Sequence, residues 1–268
     1  MDKKHVILLG LRRSGTTIIY RIFSQDSRFT CFDEPFSFYT QYKFKQRLQN
    51  LESYHENRFR LERYFSYILN EDEITSDLST RNKQFLKALC QYSHTFLDIT
   101  RCHFKIDELR NTISNVLIVL LIRDVRAWIT SHIRPTSKIT GSDYSDKFFE
   151  AIRFNTWRYQ EIGRLLGYKG FGHIQLGNIW QIYHLAALKS KPDLIIPFEN
   201  FCFDPKSYFL QIYSMLDIDY KELDFSEIHK PNKPYDVQNT KWNDLTIDNR
   251  LIKYNYWNFN DKCNNPIL

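Results

Sequence analysis

The sequence predicts an α/β fold, a central parallel sheet flanked by helices, and three observations carry that expectation. Segments 6–9, 116–122 and 194–198 are nearly unbroken apolar, β-branched runs, the pattern of strands covered on both faces rather than on one. Each run is followed by a helix-compatible segment, the alternation that builds parallel sheets. A turn framed by two glycines, Gly10 and Gly15, follows the first run, as it does where a strand hands over to a helix N-terminus at an anion site.

Taken in order, "HVILLGLRRSGTTIIYRIF" reads as a strand ending at Leu9, a loop, and a helix beginning near Thr16 with Ile18, Ile19, Ile22 and Phe23 as its apolar stripe. Residues 36–92 are aromatic and basic, with Leu48, Leu51, Phe59, Tyr64, Phe65 and Ile68 at roughly helical intervals, and read as a helical insertion over the sheet. Residues 96–99 are a weaker fourth strand. In "NVLIVLLIRDVRAWITSHIR", Arg123 ends a strand, Asp124 caps the next helix, and Ser131 lies two turns along it. Trp157, spaced from Phe154 and Ile162 as on a helix, reads as core. Pro231 and Pro234 mark a late loop, and a polar tail follows residue 255. The organisation expected is one domain over 1–268.

Composition narrows the function. The 268 residues are 43% apolar and 16% aromatic, which excludes disorder over most of the chain and supplies flat side chains for pockets. The net charge of +6, from 37 basic and 31 acidic residues, suits an anionic ligand; without a dense basic tract, nucleic acid is not the expected partner. The first apolar core, 6–9, is too short for a secretion signal. The longest apolar run, 116–122, is far below the roughly 20 residues of a membrane helix, so a soluble, cytoplasmic protein is expected. Five cysteines, at 31, 90, 102, 202 and 263, show no metal or redox spacing and are expected to stay reduced.

The loop itself points to chemistry. In ATP- and GTP-binding loops a lysine stands before the Ser/Thr and reaches the phosphates. Here Thr16 takes that place, while Arg12 and Arg13 put positive charge inside the loop, so the ligand should carry fewer charges in line than a triphosphate-metal complex. "GLRRSGTT" resembles the 5′-phosphosulfate loop of sulfotransferases that use 3′-phosphoadenosine 5′-phosphosulfate (PAPS), and Arg123 with Ser131 is similar to that family's 3′-phosphate motif. "IIPFENFCFDP" is similar to a scaffold element of the family, and "TKW", with Lys241 and Trp242, to a late element near the nucleotide.

The resemblance implies a P-loop-like sulfotransferase fold with a helical insertion. It also implies PAPS as sulfuryl donor, adenosine 3′,5′-bisphosphate (PAP) as product, no metal, and a small acceptor hydroxyl or amine on a natural product or glycan. Arg12, Arg13, Ser14, Gly15, Thr16, Thr17, Arg123, Ser131, Lys241 and Trp242 would hold the nucleotide, with Arg13 also stabilising charge on the leaving group. A general base within reach of the acceptor is required. Glu34 in "CFDEPF" matches the catalytic glutamate of the tyrosylprotein and carbohydrate branch, with Asp33 its competitor. His103 is the second candidate, because the cytosolic branch uses a histidine after a lysine, but that lysine is missing here; Arg101 or Lys105 would have to replace it. Two other readings remain at this point. One is a P-loop kinase, disfavoured by Thr16 and by the lack of a convincing Asp-ended strand for Mg²⁺; the other is a non-enzymatic anion-binding module.

Overall fold

The computed structural model describes residues 3–37, 65–91, 93–132, 156–170, 172–229 and 245–254. Five strands form one parallel sheet in the order β2-β3-β1-β4-β5. They are β1 (His5–Gly10), β2 (Phe29–Asp33), β3 (His94–Ile99), β4 (Val116–Ile122) and β5 (Leu194–Pro197). Wholly buried β1 lies at the centre, with Leu8 level with Asp98 of β3 on one side and Val119 of β4 on the other. The chain leaves β1 first for β2 and β3, then crosses over to β4 and β5. The carboxyl end of β1 is therefore a topological switch point, where open α/β sheets form their ligand crevice.

One face of the sheet is covered by α1 (Thr16–Phe23) and α9 (Pro205–Leu216). Ile19, Ile22 and Phe23 pack there on Val6, Leu8 and Phe96, with the Phe23 and Phe96 rings stacked at 4.4 Å. The opposite face, with Ile7, Leu9, Leu97 and Leu120, is covered by α3 (Thr80–Leu89), α4 (Ile106–Thr112) and α7 (His173–Lys189). The remaining helices are α2 (Asn70–Glu73), α5 (Val125–Ser131), α6 (Trp157–Leu165), α8 (Phe198–Phe203) and α10 (Asn249–Ile252). A buried ion network ties several of these together. Glu73 of α2 accepts from Arg101, from Arg158 Nε of α6 at 3.0 Å and from Tyr183 Oη of α7 at 3.0 Å.

Several expectations change in detail. The first edge strand, β2, was not expected: "FTCFD" is short and only partly buried, and its pairing with β3 is what makes it a strand. It ends in Asp33, and β3 carries Asp98 one residue from its end; both strands lie on the same side of β1, β3 beside it and β2 beyond. Phe198 opens α8 instead of closing β5. Trp157 begins α6 but is 59% exposed, because the buried stripe of that helix runs through Arg158, Tyr159 and Ile162. Of the expected helical insertion, α2 and α3 are seen, while Phe65 and buried Ile68 lie in extended chain before α2; residues 38–64 lie outside the described residues, as does the tail after 255.

Candidate active site

The site starts with the backbone of the loop between β1 and α1. Gly15 caps α1 at φ +96°, a left-handed conformation open to glycine, and a Cβ there would meet the Phe198 ring at 2.1 Å. Gly10 is needed for a different reason: a Cβ on it would lie 2.5 Å from the Thr16 methyl. Ile18 N donates to the Gly15 carbonyl at 3.2 Å, whereas the Thr16 and Thr17 amides precede the helix's own ladder of bonds; with no acidic side chain in that turn, its positive end is open to an anion.

The surroundings hold this loop in place. The Arg12 amide donates to Tyr159 Oη at 3.0 Å, and its carbonyl accepts from Trp128 Nε1 at 2.8 Å. Both rings are fully buried. Arg123, just past β4, donates from Nη1 to the Arg13 carbonyl at 2.7 Å and lies over the Phe198 ring at 5.3 Å. Its Nε is 3.9 Å from Glu199, a buried carboxyl that also accepts the Asp124 amide at 3.1 Å. Burial and the neighbouring Asp124 push Glu199 up to about 8, against the pull of Arg123. Asp124 caps α5 as expected, accepting from Arg126 N at 2.9 Å and Ala127 N at 3.3 Å.

Glu34 approaches from β2. Its amide donates to the Asp98 carbonyl at 2.9 Å, and its backbone sits at φ +44°, a strained conformation for a residue with a side chain. Its carboxylate is 3.5 Å from Arg12 Nε. Arg13, at φ +71°, is a second non-glycine residue in the left-handed region. Such conformations cost energy and recur where a site holds its residues in place.

A cavity of about 540 Å³ opens over these groups. Arg12, Arg13, Gly15, Thr16, Thr17, Glu34 and Arg123 all line it, so residues from three strand ends converge on one space. Ile18, expected in the core stripe, lines it as well, together with Phe198, Cys202, Ile228 and His229. Phe198 and Cys202 belong to the element read as scaffold, and their position just beyond a strand's carboxyl end was the available signal. Nothing in the sequence singled out Ile228 or His229.

Five expected site residues are placed elsewhere or not described. Ser14 is fully buried, its hydroxyl without a hydrogen-bond partner among the described residues, and does not line the cavity. Ser131 ends α5 and gives its hydroxyl proton to the Trp128 carbonyl at 2.6 Å. Lys241 and Trp242 lie outside the described residues. His103 is fully buried on the opposite face of the sheet, 5.4 Å from the Tyr183 ring and 5.9 Å from His184, and is not among the residues lining the cavity. Burial, then His184 and Arg158, hold its imidazole neutral, well below the usual histidine range. Lys105 is engaged with the Thr75 and Asp77 carbonyls at 2.6 and 2.8 Å, and Arg101 with Glu73, so neither lines the cavity.

Comparison with known proteins identifies the family. A model described as the sulfotransferase family matches residues 5–222, most of the chain. Among solved structures, sulfotransferase STF9 from Mycobacterium avium aligns with a TM-score of 0.46 at 12% identity, over 82% of this chain and 65% of that one. This chain thus spans about two thirds of the STF9 length. A sulfotransferase from Alicyclobacillus acidocaldarius aligns with a TM-score of 0.47 at 12% identity, over 87% and 88% of the two chains. Comparison with curated protein sequences returns no match. The matched segment contains the whole sheet, the glycine-framed loop, Glu34 and Arg123, and the chain belongs to the sulfotransferase family.

Proposed function

We propose that the protein transfers the sulfuryl group of PAPS to a hydroxyl or amine of a small acceptor, releasing PAP. The observation that carries this reading is the bond from Arg123 to the Arg13 carbonyl, which joins the loop and the second cationic position in one cavity. An adenosine bearing a charged group at each end of its ribose needs two such positions at a fixed separation. The residues present fit that donor. The positive end of α1, Arg12, Arg13, Thr16 and Thr17 line the cavity at the loop, Arg123 stands at the strand end, and Ile18, Phe198 and Ile228 provide apolar walls suited to a flat base.

PAPS supplies an activated sulfuryl group whose bond to the phosphate breaks as the acceptor's bond to sulfur forms. The chain then has three tasks. Arg12, Arg13 and the α1 amides stabilise the negative charge that grows on the departing phosphate. Arg123 orients the donor through its 3′ phosphate, where charge does not change; Ser131 would assist only after its hydroxyl leaves the Trp128 carbonyl, since that hydroxyl has a single proton. Glu34 takes the acceptor proton. It lines the cavity beside Arg12, whereas His103 is buried away from it, so Glu34 is the base we assign.

Melting the protein with PAP, AMP and ATP-Mg tests this reading. PAP should raise Tm most, and at 100 times its Kd it adds about 2.7 kcal/mol. Equal shifts with AMP and PAP would remove Arg123 from the nucleotide site, and a larger shift with ATP-Mg would favour a kinase.

A further inference from the structure

Asp98 is the buried group for which the transfer reading has no use. It lies on β3 level with Leu8 and Asp33, and two residues after Phe96, so its side chain shares the face of the sheet covered by α1. It is fully buried, and neither carboxyl oxygen has a hydrogen-bond partner among the described residues. The charged and polar groups facing it are Glu34 and Asp33 from β2, Thr16 from the start of α1, and Arg12 from the loop; β1 presents only Leu8. An unsatisfied buried acid is costly to a fold, and such groups persist where a site uses them. Here the neighbours are two residues that line the cavity: the Asp98 carbonyl holds the Glu34 amide at 2.9 Å, and Thr16 packs beside its carboxyl.

We propose that Asp98 is a positioning residue of the transfer site, its side chain setting Thr16 as the uncharged acid, next to the backbone bond by which β3 holds Glu34. A carboxylate at this position would stand beneath the end of α1 that must receive an anion and beside a glutamate that must stay ionised to accept a proton. A neutral acid avoids both conflicts and still offers Thr16 a donor and an acceptor. Burial first, then Glu34 and Asp33, push Asp98 well above the usual carboxylate range; Thr16 and Arg12 oppose this only in part. The proposal rests on the transfer reading for its role in the reaction, but its charge state does not depend on that reading.

Two measurements test it. First, apo wild type and Asp98→Asn are melted across pH 5 to 9. An acid that is neutral in the fold but ionises near pH 4 in the unfolded chain binds a proton on folding. Its contribution is present at low pH and is lost as pH rises. Wild type should therefore lose Tm relative to Asp98→Asn as pH increases. A difference independent of pH would show a charged Asp98 and overturn the proposal. Second, PAPS turnover with p-nitrophenol as probe acceptor is measured for Asp98→Asn and Asp98→Ala. The isosteric amide should stay within about 3-fold of wild type in kcat and in PAP affinity, while Asp98→Ala should lose about 10- to 100-fold in kcat and also bind PAP more weakly, because Thr16 faces the donor. Wild-type turnover in a folded Asp98→Ala would overturn the proposal, as would a folded Asp98→Asn no better than Asp98→Ala. If neither variant folds, the acid serves the fold alone and the proposal falls. If PAP fails to stabilise wild type, the transfer reading falls, while the pH comparison still decides the state of Asp98.

Discussion

Gly15→Ala puts the loop to its most direct physical test, because one methyl group engages two separate features. The residue sits at φ +96°, where a side chain costs about 1–2 kcal/mol in backbone strain. The new Cβ would also meet the Phe198 ring at 2.1 Å, far inside contact distance. Phe198 is only half-buried, so the ring can swing away, but only by leaving its place under the Arg123 guanidinium, a contact worth about 0.5–1 kcal/mol. Together these give a loss of about 1.5–3 kcal/mol, or a fall in Tm of roughly 3–12 °C for a chain of this size. Because the displaced ring moves into the cavity, PAP affinity should fall as well. Differential scanning calorimetry with a parallel PAP titration reads both effects. Repeating the substitution in a Phe198→Ala background separates the causes: the ring-dependent part should vanish there and the backbone part remain. An equal loss in both backgrounds would refute the ring contact. A variant that melts and binds as wild type does would refute the loop geometry itself.

Other outcomes follow from the same arrangement. Glu34→Gln should keep PAP affinity and cut kcat by about 10²- to 10⁴-fold, with a smaller penalty for more acidic acceptors; under the same assay His103→Ala should leave kcat nearly intact. Arg13→Ala should lower kcat, because it contacts charge that grows during transfer, whereas Arg123→Ala should chiefly raise the KM for PAPS. Steady-state kinetics would contradict this division if the two variants behaved alike. Glu73→Gln leaves Arg101 and Arg158 without their shared buried carboxylate, so urea denaturation should show a loss of about 3–5 kcal/mol, and a loss below about 1 kcal/mol would remove the network as a structural element. Burial lowers His184 to about 4, so the unfolded chain binds its proton first. Stability should therefore be full above about pH 6.5 and decline as pH falls towards 4, a limb that acid titration of the native fluorescence would follow.

The strands at 5–10, 116–122 and 194–197 were legible in the sequence because unbroken β-branched runs have few alternatives to a buried parallel sheet. The loop from Gly10 to Thr17, and Asp124 as a helix cap, were legible for a similar reason: each is set by local backbone chemistry within a few residues. That locality gave the sequence the kind of anion suited to the loop.

Only tertiary packing decided what surrounds it. Pairing with β3 turned "FTCFD" into an edge strand and brought Glu34 beside Arg12. The sheet order placed Asp98 level with Leu8 and under α1, although 82 residues separate it from Thr16 along the chain. Ile18 and His103 show the limit from both sides. Helical spacing made Ile18 a core residue, and resemblance to a branch that uses a histidine made His103 a candidate base; in the structure Ile18 packs at the edge of the core and also lines the cavity, while His103 is buried on the far face of the sheet. Which face a residue presents is set by the neighbours across the sheet, through contacts between residues distant in sequence, and a local pattern carries no record of those.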